Sequence, residues 1–339
     1  MSTPVVASAV TIRKLTPADF DAVVAIDAAT EGRTRREYVE RRLDAARREP
    51  TLHAQFGAED GSGLIGCMLG RVLAGEFGRD RPALRLEMMG VRADRRGTGV
   101  GRALFDAMQA WARRHDIAEV RTSARWRQTP ILAWFDALDF ELAHDLIVDC
   151  AVAGHAEEPV SERDVASPDN AMREISYGGT EANDHERLAR DLGNVRSMTA
   201  ADLDAVVRID RTVSGRDRRG YISARFGEAM DNASVRVSLV ACSDGIPAGY
   251  LMARADLGDF GRTAPVAVID TLGVSPDYAR RGYGRALLSQ LFANLDALRV
   301  ERVETIVPQM DLELLGFLYA AGFAPAERLS FVRPIAKAA

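Results

Sequence analysis

Apolar residues in the first half of the chain recur at two spacings, one typical of helices and one typical of strands. Phe20, Val23, Val24 and Ile26 share one side of a helix that opens near Pro17. Apolar runs of strand length lie on either side of it. The pattern predicts a mixed α/β unit with these elements in order: a strand at 10–13, this first helix, a charged helix at 35–48, a hairpin of strands at 52–58 and 64–73, a strand at 84–91, a helix at 99–115, a strand at 120–124, a helix at 130–138 and a closing strand at 146–152.

The second half of the chain repeats the first at one constant shift of 183 residues. The dipeptide Ile26-Asp27 recurs at 209–210, and the run Gly99–Leu104 lands on Gly282–Leu287. Agreement at a single shift over segments this far apart indicates a domain duplication rather than a solenoid array.

The repeat divides the chain into two predicted domains and a linker. The first domain is expected over 11–152 and the second over 195–335. The segment between them, 153–194, is rich in Glu, Asp, Ser, Pro and Gly, a composition typical of linkers.

A glycine-rich turn joins the strand at 84–91 to the helix that starts at Gly99. Glycines let the backbone turn tightly, and the N–H groups there, with the positive end of the helix dipole, form a receptor for phosphate or pyrophosphate. The alternative is a tight turn with solvated arginines. The Walker and dinucleotide patterns are absent, because Lys14 and Lys337 are the only lysines and the glycines are spaced differently.

The run Arg96–Gly101 resembles motif A of the GNAT acetyltransferase superfamily, in which this loop wraps the pyrophosphate of acetyl-coenzyme A. The resemblance implies an α/β class fold (α+β, with a mixed sheet) made of two GNAT-like domains, each a mostly antiparallel central sheet flanked by helices. It also implies an N-acetyltransferase that uses acetyl-CoA as co-substrate. The implied cofactor-binding residues are Val91, Arg96, Gly97, Thr98, Gly99, Val100, Gly101 and Arg102 in the first copy, and Val274, Arg280, Arg281, Gly282, Tyr283, Gly284 and Arg285 in the second.

The second loop departs from the motif at one position. Ala279 stands where the motif has Arg or Gln, while Arg280 and Arg281 keep positive charge nearby. Because backbone amides do most of the cradling, the resemblance still implies cofactor binding in the second half.

Acetyl transfer to an amine needs a group that takes the proton of the amine, and a carboxylate suits this role. In the GNAT family this group often lies on the strand before motif A, where Glu87 and Asp270 stand at equivalent positions. Acidic residues are depleted in strands, so finding one twice is informative. The alternative is a carboxylate held in ion pairs by local arginines.

The general acid of the family, a tyrosine before a Gly-Phe pair, is missing in register. Leu318 and Phe135 occupy its place in the two copies, and Tyr319 comes one residue later, about 100° around a helix. No general acid is therefore assigned.

An arginine-rich segment between the first two helices, 32–38, recurs at 215–221. Its retention in both copies has two explanations. Either it recognises an acidic acyl acceptor, or its arginines serve packing, with Glu37, Glu40 and the loop 75–79 as the expected partners.

The composition limits the classes of partner that the protein is expected to bind and the cellular compartment that it is expected to occupy. A net charge of −5 argues against a nucleic-acid binder. Three scattered cysteines, and histidines without ligand spacing, predict neither a disulfide framework nor a metal site. Since no signal peptide or membrane-length apolar run is present, we expect a cytoplasmic protein with no membrane partner.

The expected acceptor is a primary amine of a small molecule or peptide, and a homodimer is left open. Two rival hypotheses remain: a non-catalytic acyl-CoA-binding sensor or scaffold, and a chain with one catalytic and one structural half.

Overall fold

The computed structural model describes residues 10–73, 81–153, 155, 194–231, 236–257 and 265–335. The predicted linker, 153–194, lies outside the described residues except for 153, 155 and 194. The first half contains β1 (Thr11–Lys14), α1 (Phe20–Glu31), α2 (Arg36–Arg48), β2 (His53–Asp60), β3 (Gly63–Leu73), β4 (Ala83–Val91), α3 (Val100–Arg114), β5 (Glu119–Arg125), α4 (Thr129–Asp136), β6 (Glu141–Leu142) and β7 (Asp145–Ala151).

The second half follows the same series. It contains β8 (Asn194–Ser197), α5 (Leu203–Ser214), α6 (Arg219–Asp231), β9 (Arg236–Ser243), β10 (Ile246–Leu257), β11 (Pro265–Val274), α7 (Tyr283–Ala297), β12 (Arg302–Pro308), α8 (Leu312–Ala320), β13 (Ala324–Pro325) and β14 (Arg328–Pro334). No helix among the described residues is long and apolar enough to cross a membrane.

The strands form two seven-stranded mixed sheets. The first has the order β1-β2-β3-β4-β5-β14-β6 and the second the order β13-β7-β12-β11-β10-β9-β8. Each contains one parallel contact, β4 with β5 and β11 with β12, and its other contacts are antiparallel. The predicted fold of two mostly antiparallel sheets flanked by helices is confirmed.

The two halves exchange their last long strands, whereas the sequence pattern predicts a closing strand within each half. β14 pairs with β5 from Arg328 opposite Arg125 to Pro334 opposite Glu119. In return, β7 pairs with β12. The stretch predicted to close its own half therefore belongs to the other sheet, and the repeat boundaries do not separate the two sheets. A strand's local pattern predicts that it pairs, whereas the choice between two equivalent edges depends on long-range geometry.

Helices cover both faces of the first sheet. On one face, Leu104 and Met108 of α3 pack in a core with strand residues such as Leu86. On the other, Val23 of α1 and Val39 of α2 pack in a second core. The helical spacing of apolar residues thus places α3 and α1 on opposite faces of β4.

The start of α1 is fixed by a polar cluster that is repeated before α5. The Asp19 carboxylate accepts a hydrogen bond from the backbone N–H of Thr16 at 2.8 Å and one from Arg13 Nη2 at 2.7 Å. The bond from Arg13 lowers the pKa of Asp19 to about 2. Asp202 has the same contacts with Thr199 and Arg196, so this capping arrangement accounts for the same helix start in both halves.

The arginine-rich segments place one arginine each in a buried ion pair. Arg35 donates from Nε to Asp27 Oδ2 at 2.9 Å and from Nη2 to Asp27 Oδ1 at 2.5 Å, and both side chains are buried. Arg218 and Asp210 form the equivalent pair in the second half. These two arginines therefore serve packing, and their carboxylate partners lie on the preceding helix instead of at Glu37 and Glu40. The third expected partner, the loop 75–79, lies outside the described residues.

Candidate active site

The two parallel strands of the first sheet separate after a short contact. β4 and β5 pair only at Leu84 with Val120 and at Arg85 with Arg121. One residue further along each strand, the backbone carbonyl of Leu86 accepts a hydrogen bond from the Thr122 side-chain hydroxyl at 3.2 Å. The second sheet repeats this, with Thr305 bonding the carbonyl of Ile269 at 3.0 Å. Each half thus has a wedge that opens toward the carboxyl ends of its parallel strands, a position where ligands bind in sheets of this kind.

A β-bulge lies beside each wedge. The β3–β4 register passes from Leu69 opposite Met88 to Gly70 opposite Leu86, so Glu87 is the extra residue. In the second half the register skips Asp270 in the same way. A bulge redirects side chains and leaves a residue out of the backbone ladder. Both predicted catalytic carboxylates therefore stand at an irregularity that the sequence pattern did not reveal.

Both carboxylates are buried in ion pairs with arginines. Glu87 is 1% exposed, with Oε2 lying 3.2 Å from Arg42 Nε and Oε1 lying 2.5 Å from Arg71 Nε. Asp270 is 2% exposed and pairs with the equally buried Arg254. Guanidinium contacts stabilise the ionised carboxylate and weaken it as a proton acceptor. This geometry favours the ion-pair alternative, and the catalytic role of the two residues stays a prediction.

The loop after β4 presents unbonded backbone N–H groups at the amino end of α3. Gly97 and Gly99 adopt positive φ of 75° and 88°, and Gly99 caps the helix without a side-chain hydrogen bond. The first intrahelical bond is from Ala103 N–H to Gly99 carbonyl, so the N–H groups of the first turn have no acceptor among the described residues. Such a helix end is suited to an anion.

Gly101 lies in the first turn of α3, directly against α4. A β-carbon there would lie 3.2 Å from Trp134 Nε1. In the second half, a β-carbon at Gly284 would lie 3.1 Å from Phe317 Cζ. No sequence motif marks these two aromatic residues, although the shift of 183 residues superimposes them.

The side chains of the predicted cofactor residues mostly support the loop. Arg96 Nε donates to the carbonyl of Val91 at 3.2 Å, and Thr98 Oγ1 donates to the carbonyl of Arg95 at 2.7 Å. Arg102 Nη1 donates to the carbonyl of Ala137, beside the end of α4, at 2.9 Å. The loop therefore offers mainly its backbone to a ligand.

The family model of the Acetyltransferase (GNAT) family matches residues 20–130 and, a second time, residues 207–323. The chain belongs to the GNAT acetyltransferase family. Both matched segments contain a glycine loop, a wedge and a bulge, so the family assignment applies to each half. Among curated proteins no sequence matches the chain.

Solved GNAT structures share the fold along nearly the whole chain. A tandem GNAT protein from the clavulanic acid biosynthesis pathway has a TM-score of 0.57 at 17% identity, with 98% of this chain and 100% of that chain covered. A GNAT protein from Sphaerobacter thermophilus has a TM-score of 0.57 at 16% identity, with 96% of each chain covered.

A third similar structure is a longer protein. The glucosamine N-acetyltransferase region of a fungal multi-domain β-N-acetylglucosaminidase has a TM-score of 0.62 at 13% identity. The match covers 97% of this chain and 38% of the fungal chain. At these identities the similarity establishes the fold alone.

The second GNAT loop keeps the backbone path of the first with different residues. Arg280 has a φ of 61° at the position of Gly97, and Gly282 has a φ of 85° at the position of Gly99. A non-glycine residue in this conformation costs about 1–2 kcal/mol. Arg281 lies over the Tyr278 ring at 5.6 Å. The second loop is thus formed, but with a strained residue in it.

The positions of the usual GNAT tyrosine are part of the core. Phe135 and Leu318 are each 1% exposed, whereas Tyr319 is 43% exposed. Phenylalanine and leucine side chains have no ionisable group, so neither residue can donate a proton to the thiolate. The described residues contain no group of three or more His, Cys, Asp or Glu that would hold a metal ion.

Proposed function

We propose that the protein is an acetyl-CoA-dependent N-acetyltransferase that acts on a primary amine of a small molecule or peptide in the cytosol. The observation that carries the proposal is the uncapped amino end of α3 beside the wedge between β4 and β5. Family membership supports the reaction type.

The first loop fits the pyrophosphate of the coenzyme. The backbone N–H groups of Val100, Gly101 and Arg102 would hold it, with the helix dipole favouring its negative charge. A β-carbon at Gly97 or Gly99 would meet no atom within 4 Å, so the outer side of the loop is open. When bound, acetyl-CoA supplies the thioester whose acyl group is transferred.

We assign catalysis to the first half. It has Arg96 in the motif position, where the second half has Ala279, and an unstrained Gly97 in place of Arg280. Against this, the second half keeps Gly322 of the Gly-Phe pair, where the first half has Asp139; both residues adopt positive φ, 89° and 56°. Two differences out of three favour the first half, although both loops are formed.

The second candidate function is acyl-CoA binding without catalysis. The buried ion pairs of Glu87 and Asp270 favour it, because a carboxylate held by arginines is a poor base. The lack of a phenol in register also favours it.

Release of coenzyme A thiol distinguishes the two functions. Acetyl-CoA would be incubated with the protein and, separately, with glycinamide, spermidine, glucosamine and tyramine, and thiol would be followed with a chromogenic reagent. We expect release that depends on at least one amine. Acetyl-CoA binding by calorimetry, together with no amine-dependent release, would instead support the binding protein.

A further inference from the structure

The last turn of α1 lies on the carboxyl end of β4. A β-carbon at Gly90 would lie 2.6 Å from Ile26 Cγ2 and 3.4 Å from Thr30 Oγ1. Glu31 follows as the last residue of the helix, which ends at Gly32 with a φ of 76°. Glu31 therefore lies beside the end of β4 that borders the wedge.

Arg125 lies at the other border of the wedge. Arg125 is the last residue of β5, and it interacts electrostatically with Glu31. β4 and β5 no longer pair at this level, so Glu31, beside the end of β4, and Arg125, at the end of β5, stand at the two borders of the open wedge. Glu31 is on the α1 face of the sheet, opposite the α3 face that holds the glycine loop. An acceptor entering from the α1 face would pass Glu31 before it met a thioester held from the α3 face.

Glu31 differs from Glu87 in its surroundings. Its side chain is half-buried and forms no hydrogen bond or close ion pair with any described residue. Burial raises its pKa above the usual value, and Asp27 acts in the same direction, while the charges of Arg35, Arg125 and Arg33 oppose the rise. A general base needs access and a moderate affinity for a proton, and these surroundings provide both.

The position of Glu31 also costs the fold some stability. A negative charge at the carboxyl end of a helix opposes the helix dipole. The equivalent residue of α5 is Ser214, whose hydroxyl contacts the backbone of Arg216. The duplicated fold thus forms without a carboxylate here.

We propose that Glu31 is the group that takes the proton from the acceptor amine in the first half. This inference rests on the proposed acetyltransferase function. The Glu31 carboxylate, directly or through one water, accepts one proton from the ammonium form, and the neutral nitrogen attacks the thioester carbonyl. The carbon–nitrogen bond forms and the carbon–sulfur bond breaks. The second nitrogen proton passes through solvent to the thiolate, and Glu31 returns its proton to water. The products are the amide, free coenzyme A thiol and one released proton.

The test compares Glu31→Gln with wild type, using the most active amine of the panel. We expect kcat/KM near neutral pH to fall about 10²-fold, the lower end for loss of a general base. The loss should shrink as the pH rises, because more of the amine is then already neutral. Acetyl-CoA affinity by calorimetry should stay unchanged, and Tm should stay the same or rise, since the unfavourable charge is gone. The matched variant Ser214→Ala, at the equivalent position of the second half, should keep wild-type turnover.

A second readout does not depend on turnover. In protein labelled with ¹³C at glutamate carboxyl groups, the NMR signal lost in Glu31→Gln identifies Glu31. We expect that signal to titrate above the usual glutamate range, and a midpoint within or below that range would contradict the inference.

The kinetic outcomes separate the two claims. An active wild type with a Glu31→Gln variant of unchanged pH profile would overturn the inference and leave the acetyltransferase function standing. An equal loss at every pH, or a loss of acetyl-CoA affinity, would also overturn it. A wild type that binds acetyl-CoA but acetylates no amine of the panel would refute the function and the inference together.

Discussion

A chain truncated after Glu327 should lose the folded structure of its first half, although the deletion lies at the end of the second. β14 is the neighbour of β5 in the first sheet, and it pairs there over seven residues. The ring centroids of Phe331 and Phe135 lie 5.1 Å apart. Phe331 and Ile335 belong to the core that packs under α3. Loss of one buried phenylalanine side chain costs about 3–5 kcal/mol. Loss of the whole strand should therefore remove most of the free energy of unfolding of the domain, which is roughly 5–15 kcal/mol.

Tryptophan fluorescence reports this outcome selectively. Trp111, Trp126 and Trp134 are the only tryptophans, and all belong to the first half. We expect the truncated chain to show red-shifted, denaturant-insensitive emission. A control chain ending after Ile335, which keeps β14, should unfold cooperatively like the full chain. Native-like emission and cooperative unfolding after truncation at Glu327 would contradict the strand exchange.

Glutamate placed in the first glycine loop should abolish acetyl-CoA binding to the first half and reduce turnover by about 10²-fold or more. Gly101→Glu inserts a side chain where a β-carbon would already lie 3.2 Å from Trp134 Nε1. It also puts a negative charge at the helix end that we assign to the pyrophosphate, so the coenzyme would be repelled.

The matched variant in the second half is Gly284→Glu, which crowds Phe317 in the same way. We expect it to remove any binding at the second loop while turnover falls less. Calorimetry gives the stoichiometry of acetyl-CoA, and thiol release gives the turnover. Activity that survives Gly101→Glu and disappears in Gly284→Glu would assign catalysis to the second half.

Local features of the site could be predicted from the sequence, whereas its long-range features could not. The glycine loop and the helix after it are specified by neighbouring residues, such as Gly97 and Gly99, whose positive φ suits glycine. The bulge at Glu87 and the destination of β14 depend on pairing between distant segments, which the alternation of apolar residues does not encode.

The repeat marks the residues that both halves share, whereas the residue that we propose as the base is present in one half alone. Glu87 and Asp270 recur at equivalent positions, and this recurrence favours them as candidate bases. The structure places both in buried ion pairs with arginines. Glu31 does not recur, since Ser214 takes its place, and nothing in its local sequence marks it. After a duplication, residues kept in both halves include those that the fold needs.

Hydrogen exchange at the amino end of α3 tests the central claim most directly. The backbone N–H groups of Val100, Gly101 and Arg102 have no acceptor among the described residues, so they should exchange rapidly in the free protein. If the first loop holds the pyrophosphate, saturating acetyl-CoA should slow their exchange. Acetyl-CoA that binds in calorimetry, yet leaves the exchange of these three amides unchanged, would contradict the account.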